Sequence, residues 1–154
     1  MTPAARLTRF TDAVAAGDGP GFAALFTPDA TYHDVFYGAF HGRARISAML
    51  TDWFHRDAGD FRWVMHDPVS DGTTLYARYV FSFTSKLPAA LGKRVMFEGV
   101  SIMTLKDGLI AEYREVANTA PGLVDLGFVP DRLARRFAKE GTELRGRPEV
   151  TRHL

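Results

Sequence analysis

Apolar residues recur along this chain first at helical and then at strand spacing. Leu7, Phe10 and Val14 mark one side of a helix that starts at Thr2-Pro3 and stops at Gly17-Asp18-Gly19. A threonine hydroxyl suits the N-cap, proline the first helical position, and glycine the left-handed stop. A second short helix is predicted over Pro20–Phe26, then a brief strand Ala30–Val35 after Pro28-Asp29, and a loop over Gly38–Arg43. Ile46, Met49, Leu50, Trp53 and Phe54 share one face of a third helix, Ala44–His55. The period then drops to two, predicting strands at 61–69, 74–87, 93–106 and 109–118. Asp71-Gly72 and Asp107-Gly108 are turn dipeptides between them, and Leu87–Gly92 is a looser connection. Three helices followed by an antiparallel meander predict an α+β domain over residues 1–118. Beyond it, 119–129 reads as a loop with at most one helical turn. Residues 131–145 read as a basic amphipathic helix aligned on Leu133, Phe137 and Leu144.

Composition narrows the function more by exclusion than by assignment. The 154 residues suffice for one buried core, and 19 basic against 18 acidic residues leave a formal charge of +1. That balance provides no field for nucleic acid or a membrane surface. No stretch approaches the roughly 18 consecutive apolar residues of a membrane span. Without cysteine there is no disulfide, thiolate metal site or thiol nucleophile. Five scattered histidines in no HxH or HxxxH spacing argue against a metal, and no glycine-rich phosphate loop or GxSxG elbow occurs. No cofactor and a cytoplasmic location are the expectations. Twelve Phe, five Tyr and two Trp, 12% of the chain, add a positive indication: an aromatic core or a cavity lined with rings.

Two segments carry a resemblance. Ala15-Ala16-Gly17-Asp18, then Leu25-Phe26-Thr27-Pro28-Asp29-Ala30-Thr31-Tyr32-His33-Asp34, then His41-Gly42-Arg43 and Ile46 resemble the opening of a nuclear transport factor 2-like domain. Lys106-Asp107-Gly108-Leu109-Ile110-Ala111-Glu112-Tyr113-Arg114-Glu115 resembles that superfamily's last hairpin. The likeness spans residues 1–118 and points to the SnoaL-like polyketide cyclase branch. It implies a cone-shaped curved antiparallel sheet (the cystatin-like cone), closed by three N-terminal helices around a pocket for a small apolar organic molecule. Asp34 falls where related ketosteroid isomerases hold their general base. Phe10 and Ser101 stand where those enzymes place oxyanion donors, a tyrosine and a protonated aspartic acid, so steroid isomerisation is not expected. Tyr113-Arg114-Glu115 matches the last-strand motif of limonene-epoxide hydrolase. Val80 and Ser82 stand where that enzyme's third-strand Arg and Asp are expected.

With the family's strand alternation, Tyr32 and Asp34, Tyr79 and Phe81, Phe97, Ser101 and Met103, and Tyr113 and Glu115 point inward. Asp34, with Glu115 or Tyr113, is the candidate acid/base set. Tyr32, Phe10, Trp53, Tyr79, Phe81, Phe97, Ser101, Met103 and His66 are candidate substrate contacts. An apolar setting disfavours carboxylate charge and raises its pKa towards the range useful for proton transfer. The bland alternative has Asp34 capping a loop and Glu115 pairing with Arg78 or Arg114. His33 should face outward, His41 should shape the entry to the third helix, and His55 and His153 should face solvent. The outer set Met96, Val100 and Ile102 is apolar too, and the family resemblance implies a second sheet there, hence a homodimer. Residues 119–154 form an extension, either a lid on the pocket or a strap to a partner. Their Arg132, Arg135, Arg136, Lys139, Arg145 and Arg147 form a solvated face or meet an anion. Three functions stay open: a cofactor-independent isomerase or cyclase, a non-catalytic binder of an apolar metabolite, and a dimerisation domain with a filled cavity.

Overall fold

The computed structural model describes residues 1–154. Helix α1 covers Pro3–Ala16, capped by the Thr2 hydroxyl and ended by Gly17 at φ 68°. It buries Leu7, Phe10 and Val14. Helix α2 is shorter than its pattern suggests, Gly19–Ala23, and β1 begins earlier than expected, at Phe26, running to Asp34. The segment expected as a loop contains strand β2, Gly38–His41, which pairs antiparallel with β1. Its four residues show burial of Phe40 alone, too little alternation to be recognised as a strand. Helix α3, Arg43–Met49, continues through a π-helical turn, Leu50–Phe54, into the short α4, His55–Asp57.

Four long strands follow: β3 Ala58–Ser70, β4 Thr74–Ser85, β5 Arg94–Lys106 and β6 Leu109–Asn118. The sheet order is β2-β1-β6-β5-β4-β3. All neighbours are antiparallel except β1 and β6, which run parallel. Asp107 and Gly108 take φ of 51° and 75°, the conformation a tight two-residue hairpin needs. In β3 the register breaks twice, between Gly59 and Arg62 and between His66 and Val69; Asp60 and Asp67 there have positive φ. These irregularities make the facing of β3 hard to read from alternation.

α1 lies across β3, and the concave side of the sheet supplies the rest of a buried aromatic core. Phe10 contacts Phe22, Trp63 and Tyr113 at ring-centroid distances of 4.8, 5.2 and 5.2 Å. After β6 the chain forms α5, Ala120–Asp125, packed on β5, and then α6, Pro130–Arg145. The predicted single helical turn is therefore a six-residue helix. α6 buries no residue fully. Arg136 anchors it, donating to the Val35 carbonyl and lying 5.6 Å from the Phe36 ring centre. No helix is long and apolar enough to cross a membrane.

Candidate active site

The parallel pairing of β1 and β6 sets Tyr32 opposite Tyr113. Side chains repeat every second residue, so Asp34 and Glu115 follow on the same face of adjacent strands. Asp34 ends β1, where one carboxylate oxygen accepts from the backbone N–H groups of Phe36 and Tyr37 at 2.8 and 2.9 Å. That turn fixes the carboxylate and leaves its second oxygen uncommitted. Asp34 thus does cap a turn, but its side chain also lines a cavity. Glu115 pairs with no arginine. Tyr79 Oη donates to its Oε2 at 2.5 Å and Tyr113 Oη donates to the same oxygen at 3.2 Å. Ser101 Oγ lies 3.1 Å from Tyr113 Oη, behind the carboxylate.

The cavity measures about 330 Å³ and 17 of its 22 lining residues are hydrophobic. Phe61, Trp63, Tyr79, Phe81, Phe83 and Phe97 form its sheet wall, and Tyr32 and Asp34 its floor beside Glu115. Val35, Phe36, Tyr37, Phe54 and Asp57 close one flank. The extension closes another with Leu123, Leu126, Phe128, Arg132 and Arg136. Asp34, Glu115 and Arg136 also border a larger and more polar groove along α6, so the carboxylates lie where the apolar chamber meets a wetter exit.

Burial raises both carboxyl pKa values. That of Asp34 rises to about 6, the backbone donors and the Arg136 charge opposing burial only partly. That of Glu115 rises to about 8, because burial and the nearby Asp34 charge outweigh the two tyrosine donors. At pH 7 Asp34 is therefore largely ionised and Glu115 largely protonated. Two neighbouring carboxyls with separated pKa values can act as base and acid together. The hydroxyl protons of Tyr79 and Tyr113 are committed to Glu115 Oε2, leaving Oε1 to carry the exchangeable proton. Tyr32 Oη and Trp63 Nε1, polar atoms of two cavity-lining residues, have no partner within the protein. A buried donor left so costs about 1–3 kcal/mol.

Several candidate contacts lie elsewhere. Phe10 and Met103 are core residues with no cavity surface. Ser101 and Tyr113 are fully buried behind Glu115, which makes Tyr113 a positioning residue and removes it as an acid that could touch substrate. Trp53 packs outside, edge-on to Tyr37 and Phe40 and beneath Arg56. His66 sits opposite the exposed Arg78 on the outer face of the sheet. His55 is not a solvent residue: its ring rests on Phe61 and its Nε2 meets the Val14 carbonyl at 2.8 Å, tying α4 to α1. His33 does face outward and meets Glu112 at 3.1 Å. Tyr37, Asp57 and Trp63 also line the cavity, and the sequence pattern does not single them out. Tyr37 follows Asp34 by a tight turn, and Trp63 was hidden by the β3 irregularities. Only the Asp-x-x-Tyr spacing offered a signal for the first.

The sequence profile of the SnoaL-like domain matches residues 7–113. This chain belongs to the SnoaL-like family. The SnoaL-like fold is shared with an LEH-like epoxide hydrolase of M. tuberculosis, at 18% identity and TM-score 0.66 over 80% of this chain and 88% of that one. A protein with a ketosteroid isomerase-like fold from Catenulispora acidiphila, solved with trimethylamine, superposes at TM-score 0.72 and 16% identity, covering 82% and 95%. A provisionally assigned polyketide cyclase from Xanthomonas campestris pv. campestris gives 0.65 and 20%, covering 80% and 96%. At such identities the likeness is one of fold. No curated protein matches the SnoaL-like chain significantly by sequence.

Proposed function

We propose that the protein is a cofactor-independent enzyme of the isomerase or cyclase kind, acting on a small, largely apolar carbonyl compound. One observation carries the reading: two adjacent carboxyls share an apolar cavity, and neither is bonded to a cation. In a ligand store two buried carboxyls held by neutral donors alone would be a desolvation cost offset only in part. In a proton-transfer site they are the working parts. Asp34 removes a proton from the carbon beside the carbonyl. Glu115 donates its proton, or a hydrogen bond, to the oxygen as enolate charge develops. The proton then returns from Asp34 to a different carbon, or the enolate carbon closes on a second carbonyl whose oxygen takes the Asp34 proton. As the first carbonyl re-forms Glu115 recovers its own proton, so neither route draws a net proton from solvent.

Activity under this scheme needs Asp34 ionised and Glu115 protonated. The rate per encounter should rise with an apparent pKa near 6 and fall with one near 8, a bell centred close to neutrality. Deuterium uptake beside the carbonyl of a bound ketone, followed by NMR from pH 4.5 to 9.5, measures it. Glu115→Gln should lose the alkaline limb. A flat profile, or an alkaline limb that survives that replacement, would refute the pair.

We also propose a homodimer through the outer sheet face, where Val64, Tyr76, Met96, Val100 and Val116 are 38–66% exposed. A patch of apolar residues on four neighbouring strands fits a like surface better than water. Val100→Lys should halve the mass found by sedimentation equilibrium while leaving the fold unchanged. A monomeric wild type would refute the dimer.

A further inference from the structure

The cavity has a second polar pole that the proton-transfer scheme does not use. Tyr37 Oη donates to Asp57 Oδ2 at 2.7 Å, and Arg56 grips both oxygens of that carboxylate, Nε to Oδ1 and Nη2 to Oδ2, each at 2.7 Å. Tyr37 and Asp57 both line the cavity; Arg56 does not. Asp57 lies well away from Glu115, while the Tyr37 backbone N–H reaches back to Asp34. Asp57 immediately precedes Ala58, which pairs with Ser85, whereas Glu115 is level with Ser101 and Ala77, eight residues back along β4. Carbon surrounds it, with the Tyr37 ring 5.9 Å from that of Phe54 and Phe61 beyond.

The direction of the phenol proton decides what this pole can bind. Arg56 keeps Asp57 in its charged form, with its pKa held below the usual carboxylate range. A charged carboxylate only accepts, so the single Tyr37 proton is committed to it. The phenol oxygen has lone pairs to offer and no proton. A hydroxyl on a ligand would find an acceptor there, whereas a carbonyl oxygen would meet lone pairs backed by a negative charge. At the far pole the situation is reversed, since Glu115 presents a proton. Two poles of opposite hydrogen-bonding sense, joined by an aromatic wall, admit a two-ended molecule in one orientation.

We propose that Tyr37 Oη is a specificity-determining acceptor for a hydroxyl group, and that the substrate is a compact ring-bearing ketone with a hydroxyl at the end opposite its reactive carbonyl. Arg56 and Asp57 are positioning residues that hold the phenol proton away from the ligand. The choice of a ketone rests on the acid/base reading of Asp34 and Glu115; the hydroxyl preference is read from Tyr37 and Asp57 alone.

A matched pair of probes tests it: 2-acetonaphthone and 6-hydroxy-2-acetonaphthone, titrated calorimetrically into wild type, Tyr37→Phe and Asp57→Asn. Wild type should bind the hydroxylated ketone about tenfold more tightly. Tyr37→Phe should bring it down to the affinity of the plain ketone, and Asp57→Asn, which keeps the shape but gives the phenol proton a weaker, neutral acceptor, should shrink the preference too. Thermal unfolding shows whether each variant remains folded. Equal affinities in wild type, a preference that survives in both variants, or no binding of either ketone would overturn the proposal. Deuterium uptake by the acetyl group separates the two readings. A hydroxyl preference without exchange upholds the Tyr37 pole and removes Asp34 as base; exchange without preference does the reverse.

Discussion

Asp34→Asn should lower turnover of any substrate by about 10²–10⁴-fold, the usual contribution of a positioned general base. The change isolates chemistry from structure unusually well. Asn keeps an oxygen that can accept from the Phe36 and Tyr37 amides, so the turn after β1 is retained. Stability should move the other way. The Asp34 pKa is raised on folding, so the folded state favours the protonated carboxyl. The resulting stabilisation is full at acidic pH and is lost as pH rises through about 6. Above that value the wild type bears a buried charge that the variant lacks. Asp34→Asn should therefore melt higher than wild type at pH 8, with the gap closing towards pH 4. Calorimetric melting at the two pH values, beside a turnover assay, checks both halves. Undiminished turnover would remove Asp34 as base, and a variant less stable at pH 8 would contradict its burial as a charge.

Phe10→Ala should be among the most destabilising single changes, costing about 3–5 kcal/mol. The ring has no exposed surface and joins α1, α2, β1, β3 and β6 through Phe22, Phe26, Trp63 and Tyr113. None of these partners can collapse into the space without leaving its own contacts. Tyr113 would lose the ring stacked beneath it, and Tyr113 steadies Glu115. For a domain of this size the cost corresponds to a fall in Tm of roughly 6–20 °C. Urea unfolding followed by tryptophan fluorescence gives the free energy directly. A loss below about 1 kcal/mol would show that Phe10 is not the junction described.

Phe10 also shows how far the chain could be read unaided. Its helical spacing with Leu7 and Val14 placed it on the inner side of α1, yet could not say whether that side met ligand or other side chains. Depth is a property of neighbours on distant strands, and no local pattern encodes it. The same limit moved Met103, Ser101 and Tyr113 from the cavity into the layer behind it. Alternation did succeed wherever strands are regular. Tyr32, Asp34, Tyr79, Phe81, Phe97 and Glu115 all line the cavity, because β1, β4, β5 and β6 keep their two-residue period through the site. It failed on β3, whose two positive-φ aspartates break the register, and on β2, where four residues are too few to show a period. Asp57 was unreadable for another reason: its orientation follows from a π-helical turn in the preceding segment, which has no spacing signature of its own.

The parallel pairing of β1 with β6 bears on how the molecule acquires activity in time. Strands β3 to β6 are joined in sequence by short connections and can zip one onto the next. β1 must wait for a partner some eighty residues away, since Phe26 pairs opposite Ile110 and Tyr32 opposite Tyr113. Contacts of such sequence separation bear the largest loop-closure entropy and form slowly. Asp34 arrives on one of these strands and Glu115 on the other. The base and the acid therefore meet only when the last long-range seam of the sheet closes, and a nascent or partly unfolded chain holds two ordinary, separately solvated carboxylates.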